Sequence, residues 1–259
     1  MNHEESNEWE FSNTVLDLIG KVALVTGASR GIGAAVAQLL ADRGADIIIN
    51  YRSKASRAEE IATRIRAIGR RAVLVQADIT NEREVGEMMQ SIATHFAQLD
   101  LLVLNASGGL EKDKAADYAM DLNLTAQERL VDLAVPWMQA GGRIVFVTSH
   151  LAHFYGRKPV YELYEPVAAS KYAGEQALRG RIAQLMDIGI SLVVVSGDLI
   201  EGTITPKLME RSNRGFINER REQAGSLPSV EDFASAIADT CVDSSLRSGA
   251  TVFVGNTEW

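Results

Sequence analysis

Ser149, Tyr155, Tyr161, Tyr164 and Lys171 follow one another in "TSHLAHFYGRKPVYELYEPVAASK". A phenol held near a lysine can carry a proton to or from a substrate oxygen. Free tyrosine titrates near about 10 and is a reluctant proton carrier at neutrality, whereas a neighbouring cation favours the phenolate. Tyr164 precedes Lys171 by seven residues, nearly two helical turns, so the two share an azimuth. Pro166 is expected at the first helical position, with Glu165 extended before it and Tyr164 delivered by the incoming loop. Tyr155 and Tyr161 remain open as alternatives. Ser149 ends the apolar run "GRIVFVTS", a place where serine is often only a turn former.

A second cluster reads as an anion site. In "VTGASRGIG", Gly27, Gly31 and Gly33 allow a tight turn and close approach to a pyrophosphate, with Ser29, Arg30 and Ile32 between them. Backbone N–H groups at the start of the next helix then face the anion. A carboxylate at the end of the second strand would bond ribose hydroxyls and repel a 2′-phosphate. That carboxylate is absent: "IIINYRS" puts Tyr51, Arg52 and Ser53 there. Arg30 and Arg52 together can grip a phosphate, which favours NADP(H).

The elements that must position these groups alternate along the chain. "KVALVTG", "ADIIINY", "RAVLVQAD", "LDLLVLN", "GRIVFVTS", "ISLVVVSG" and "ATVFVG" are near-continuous apolar runs, as parallel strands covered on both faces require. Amphipathic segments lie between them, the first stopped by Gly44. The expectation is an α/β Rossmann-type doubly wound parallel sheet of about seven strands in one domain, residues 18–259, after an acidic tail, residues 1–17. The polar stretch 201–228 follows a strand and is expected to be a mobile substrate lid.

Composition removes other classes. A net charge of −8 disfavours nucleic acid and anionic membrane as partners. No run approaches the roughly 20 apolar residues that span a bilayer. The polar start "MNHEESNEWEF" is unlike a secretory signal, so a cytoplasmic protein is expected. A single cysteine, Cys241, excludes an internal disulfide and reads as a buried helical thiol. No residues have metal-ligand spacing. His150 and His153 read as residues of a solvated loop.

The glycine loop and "AASKYAGE" together resemble the short-chain dehydrogenase/reductase family, from about Leu18 to Gly255. The resemblance implies that Asp78, with Ile79 beside it, bonds the adenine. It also implies that Asn105, followed by Ala106 and Ser107, supports the cofactor strand, and that Thr203, or Thr205, touches the nicotinamide amide or phosphates. By the same resemblance Ser149 orients the substrate, Asn123 holds a water in a proton relay, and Lys171 bonds the nicotinamide ribose and lowers the pKa of a tyrosine. Ser196 replaces the proline of a strand-end motif, and residues 106–122 are several positions short. Where the family has its tyrosine, four residues before the lysine, stands Val167. A tyrosine seven residues before the lysine resembles the divergent enoyl-thioester reductases, although from Ser149 to Tyr164 this chain is longer. "SKYAGEQAL" also resembles the nucleotide-sugar epimerase branch. The implied protein is an oxidoreductase acting on a small-molecule carbonyl or activated C=C, assembled as a homotetramer or homodimer. The alternative is a catalytically inactive nucleotide sensor or scaffold.

Overall fold

The apolar runs become strands that alternate with helices in the computed structural model, which describes residues 17–111 and 114–258. The expected acidic tail, residues 1–17, lies outside them except for Asp17. The first half comprises β1 (Val22–Val25), α1 (Gly31–Asp42), β2 (Asp46–Tyr51), α2 (Ala55–Ala67), β3 (Ala72–Gln76), α3 (Glu82–His95) and β4 (Leu99–Leu104). Then α4 (Tyr118–Met120), a π-helical turn (Asp121–Thr125) and α5 (Ala126–Ala134) lead to β5 (Met138–Ser149). After β5 come α6 (His150–His153), a 3₁₀ turn (Glu162–Tyr164), α7 (Glu165–Gly180), α8 (Ile182–Asp187) and β6 (Ser191–Gly197). The chain finishes with α9 (Ile204–Ser212), α10 (Phe216–Ala224), α11 (Val230–Val242) and β7 (Thr251–Val254).

All neighbouring strands are parallel, in the order β3-β2-β1-β4-β5-β6-β7. The order reverses between β1 and β4, and the crevice outside their carboxyl ends is where such sheets bind ligands. Alternate side chains leave the two faces. Leu24, Ile48, Leu102 and Ile144 join a core with α3, α5, α7 and α8. Val25, Ile47, Ile49 and Val147 join another with α1, α2 and α11. Both faces are covered, which is why the strands read as unbroken apolar runs. Cys241 is buried on α11, its thiol pushed up to about 12 by burial, which makes it unsuited to nucleophilic chemistry. Among the described residues, no helix is long and apolar enough to cross a membrane.

The carboxyl end of the sheet departs from the expected layout in two ways. The polar stretch 201–228 contains two helices, α9 and α10, that its sequence pattern did not announce. Its sequence conceals them because each buries only a narrow stripe: Met209 and Phe216 pack with Ala152, Tyr164, Val167 and Ala168 in a small third core. At the start of α7, Glu165 is helical (φ −51°, ψ −49°), and Tyr164 is the residue that caps the helix (φ −96°, ψ −8°). Pro166 disfavours helical geometry in the residue before it. Burial of Tyr164 and Val167 in the third core outweighs that preference, so the 3₁₀ turn runs directly into the helix.

Candidate active site

One cavity of about 800 Å³ runs along the carboxyl edge of the sheet. Gly27, Ser29, Arg30, Gly31, Ile32 and Gly33 form the wall at the switch point. Gly27 and Gly31 take φ of +66° and +54°, which disfavours any residue with a Cβ. Gly33 is required for a different reason: a Cβ there would lie 2.5 Å from Asn105 Nδ2 and 2.7 Å from the Gly27 carbonyl. Asn105 ties this turn to β4 by donating its amide to the Thr26 carbonyl at 2.9 Å. The Thr26 hydroxyl accepts the N–H groups of Asn105 and Ala106, each at 3.0 Å. Asn105 therefore supports the strand end, and Ala106 and Ser107 continue the wall. No side chain caps α1, so its first N–H groups remain available to an anion. This cradle fits a dinucleotide pyrophosphate.

At the end of β2, Arg52 and Ser53 line the cavity, joined by Lys54. Tyr51 does not: its ring is buried in the core beneath α1 and α2, because side chains alternate along the strand. The Arg52 guanidinium donates to the hydroxyl of Tyr118, a wall residue that the sequence did not single out. Burial raises the Tyr118 phenol above its ordinary value, with Arg52 opposing. Asp78 and Ile79 form the adjoining wall. One Asp78 oxygen accepts the N–H and hydroxyl of Thr80, at 3.1 and 2.8 Å.

The reacting end gathers Ser149, Tyr164 and Lys171, with Thr203 at the start of α9. Ser149 Oγ and Tyr164 Oη are 3.1 Å apart. Of the three candidate tyrosines, Tyr164 alone meets Ser149. Tyr155 donates to Glu165 away from the cavity, and Tyr161 lines it with its ring edge-on to Phe216, centroids 4.6 Å apart. Burial holds the Tyr164 phenol above its ordinary value, and the Ser149 hydrogen bond opposes it. The phenol enters on the 3₁₀ turn and meets the serine. Lys171 itself is pushed down to about 8 by burial, with Glu175 raising it. Val167 fills the space beside the 108–110 loop: a Cβ on Gly109 would lie 3.1 Å from Val167 Cγ2.

Asn123 lies in the π-helical turn, buried behind the cavity wall. Its amide donates to the Gly108 carbonyl at 2.9 Å and to Ser170 Oγ at 3.0 Å, which couples the shortened loop to α7. Its carbonyl is so close to α7 that a Cβ on Gly174 would meet it at 2.0 Å. The two histidines are not in a solvated loop. His150 is buried against Ser196 at 2.8 Å, and burial lowers its imidazole to about 4, so it is neutral at pH 7. His153 Nδ1 is 2.8 Å from Glu175 Oε1. The apolar half of the cavity, formed by Leu110, Leu151, Leu199, Leu208 and Phe216, comes from segments without a recognisable pattern. Among the described residues, no group of His, Cys, Asp and Glu could hold a metal ion.

A family model described as short chain dehydrogenase matches residues 21–213. A hydroxynaphthalene reductase of Aspergillus fumigatus is 42% identical over 144 residues, 52% of this chain and 52% of that protein, so the match spans about half the relative's length. A short chain dehydrogenase of Burkholderia cenocepacia, solved in complex with NADP, aligns with TM-score 0.80 and 31% identity over 92% of this chain and 97% of its own. A promiscuous reductase that catalyses keto-reduction at C1 during lugdunomycin biosynthesis aligns with TM-score 0.78 and 30% identity, over 93% and 99% of the two chains. The parallel order of the sheet, the glycine turn at its switch point and a family match over most of the sequence agree, and the chain belongs to the short chain dehydrogenase family.

Proposed function

We propose that the protein is an NADP(H)-dependent oxidoreductase that transfers hydride between nicotinamide and a carbonyl of a small, largely apolar organic substrate. The observation that carries this reading is the Ser149–Tyr164 pair, 3.1 Å apart in the same cavity as Lys171 and the glycine turn. The cofactor, when bound, supplies or accepts the hydride. Tyr164 and Ser149 grip the substrate oxygen from two hydroxyls. A phenol raised by burial stays protonated at neutral pH, the state needed to donate to an oxygen gaining negative charge. Lys171 holds the cofactor, Arg30 and Arg52 take its 2′-phosphate, and the leucine-lined half of the cavity excludes water. NADP in a similar structure and keto-reduction by another support cofactor and reaction. The offset of Tyr164 from Lys171 favours a second reading, reduction of an activated C=C, with Tyr164 stabilising the enolate.

The test is NADPH oxidation against a panel of aryl ketones, aldehydes and enoyl thioesters, with product analysis to separate carbonyl from C=C reduction. NADPH binding without oxidation across the panel would overturn the proposal. Nothing in the site favours the inactive alternative, since Ser149, Tyr164 and Lys171 share one cavity. Cofactor choice has its own check. Arg52→Ala is expected to weaken NADPH binding by about 10-fold, as loss of a charge-assisted hydrogen bond does, and to leave NADH unchanged. Equal losses for the two nucleotides in calorimetry would remove Arg52 from phosphate recognition.

A further inference from the structure

Glu175 lies one turn beyond Lys171 on α7, and the reaction proposed above makes no use of it. Its side chain is 0% exposed. One oxygen, Oε1, accepts from Arg179 Nε at 2.8 Å and lies 2.8 Å from His153 Nδ1. The other, Oε2, has no hydrogen-bond partner among the described residues. Lys171 is likewise buried, and its Nζ makes no hydrogen bond to a described residue. A buried carboxylate oxygen without a partner and a lysine that lines the cavity thus sit four residues apart on one helical face. Residues at that spacing are neighbours, and leaving the buried carboxylate oxygen unpaired is costly.

Glu175 is the acidic side chain one turn along α7 from this lysine. Burial lowers Lys171, and Glu175 is the charge that opposes the lowering. Two groups compete for the same carboxylate. Arg179 is anchored to the Gly249 carbonyl at 2.7 Å and Thr251 Oγ1 at 2.6 Å, and His153 of α6 adds a second cation whenever it is protonated. Three further groups on the elements around α7 are neutral or engaged elsewhere. His150 of α6 is neutral, the π turn presents the Asn123 amide, and Arg181 pairs with Asp132 of α5 at the surface.

We propose that Glu175 is a positioning residue that keeps Lys171 protonated and directed at the cofactor, with Arg179 and His153 setting the strength of that hold. The proposal rests on the reading of Lys171 as the cofactor-holding ammonium. Each group alone has an ordinary structural explanation, so the test must read something a structural role does not move.

That readout is the NADPH dissociation constant, followed by nucleotide fluorescence between pH 6 and 10, for wild type, Glu175→Gln and Arg179→Gln. Wild type is expected to lose affinity along an alkaline limb as Lys171 deprotonates. Glu175→Gln removes the opposing charge, so its limb should move down by about one pH unit. Arg179→Gln removes a competitor for the carboxylate, so its limb should move up. Limbs that coincide in all three proteins, or that move in the same direction, overturn the proposal even when melting temperatures fall. Should Glu175→Gln fail to fold, an Arg179→Gln limb at or below the wild-type position overturns it alone. A wild type that binds no NADPH at any pH refutes the proposed function itself; a wild-type limb shared by the variants refutes only the role of Glu175.

Discussion

Replacing Tyr164 by phenylalanine is expected to lower kcat/KM by about 10²–10⁴-fold, the range for loss of a positioned general acid, while NADPH affinity stays near that of wild type. The ring is buried in the small core of Val167, Ala168, Met209 and Phe216, and phenylalanine preserves that packing. Only the hydroxyl facing Ser149 is lost. The loss should fall on kcat more than on KM. Unchanged turnover would eliminate Tyr164 and turn attention to Tyr161, the other of the three candidate phenols on the cavity wall. Adding Val167→Tyr to the Tyr164→Phe variant is expected not to restore activity. The 108–110 loop runs so close that even a Cβ added to Gly109 would meet Val167 Cγ2 at 3.1 Å, so a larger side chain at 167 has to displace the loop. Val167 is thus part of the packed wall beside this loop.

Arg220→Met should be the most destabilising single change near the site. Arg220 Nε and Nη2 donate to Asp198 Oδ1 and Oδ2 at 3.0 and 2.8 Å, and the guanidinium also reaches the carbonyls of Asn256 and Glu258. The two side chains are 4% and 6% exposed. Removing one member of a buried pair leaves the other uncompensated and costs about 3–5 kcal/mol. For a chain of this size that corresponds to a fall in Tm of roughly 10 °C. The same pair ties α10 to the end of β6, so KM should rise along with the loss of stability. Replacing both charges, as Asp198→Leu with Arg220→Met, is expected to recover part of the Tm, since no buried charge is then left alone. A double variant no more stable than the single one would mean that packing and the carbonyl contacts, not the uncompensated carboxylate, carry the effect.

Much of the cofactor end was legible because backbone needs dictate it. The turn requires glycines at 27, 31 and 33 through positive φ or close approach, and those requirements act within one short segment. Arg52 and Ser53 were placed by counting to the end of β2, and both line the cavity. The same count erred for Tyr51, because alternation along a strand sends its side chain into the core. The substrate end was less legible. Tyr118, Leu110, Leu151 and Phe216 belong to no pattern, and each reaches the cavity through a segment whose path depends on distant packing.

The sequence by itself determined the seven strands and their alternation with helices, the anion turn and the presence of one lysine with three candidate phenols. Those features follow from apolar periodicity, glycine conformation and spacing within a helix, all local properties. The tertiary structure decided which phenol meets Ser149, that a helical Glu165 precedes Pro166, and that His150 and Arg220 are buried. Each of these depends on contacts between residues far apart in the chain. There, burial in the third core and pairing of buried charges outweigh the preference of any single residue.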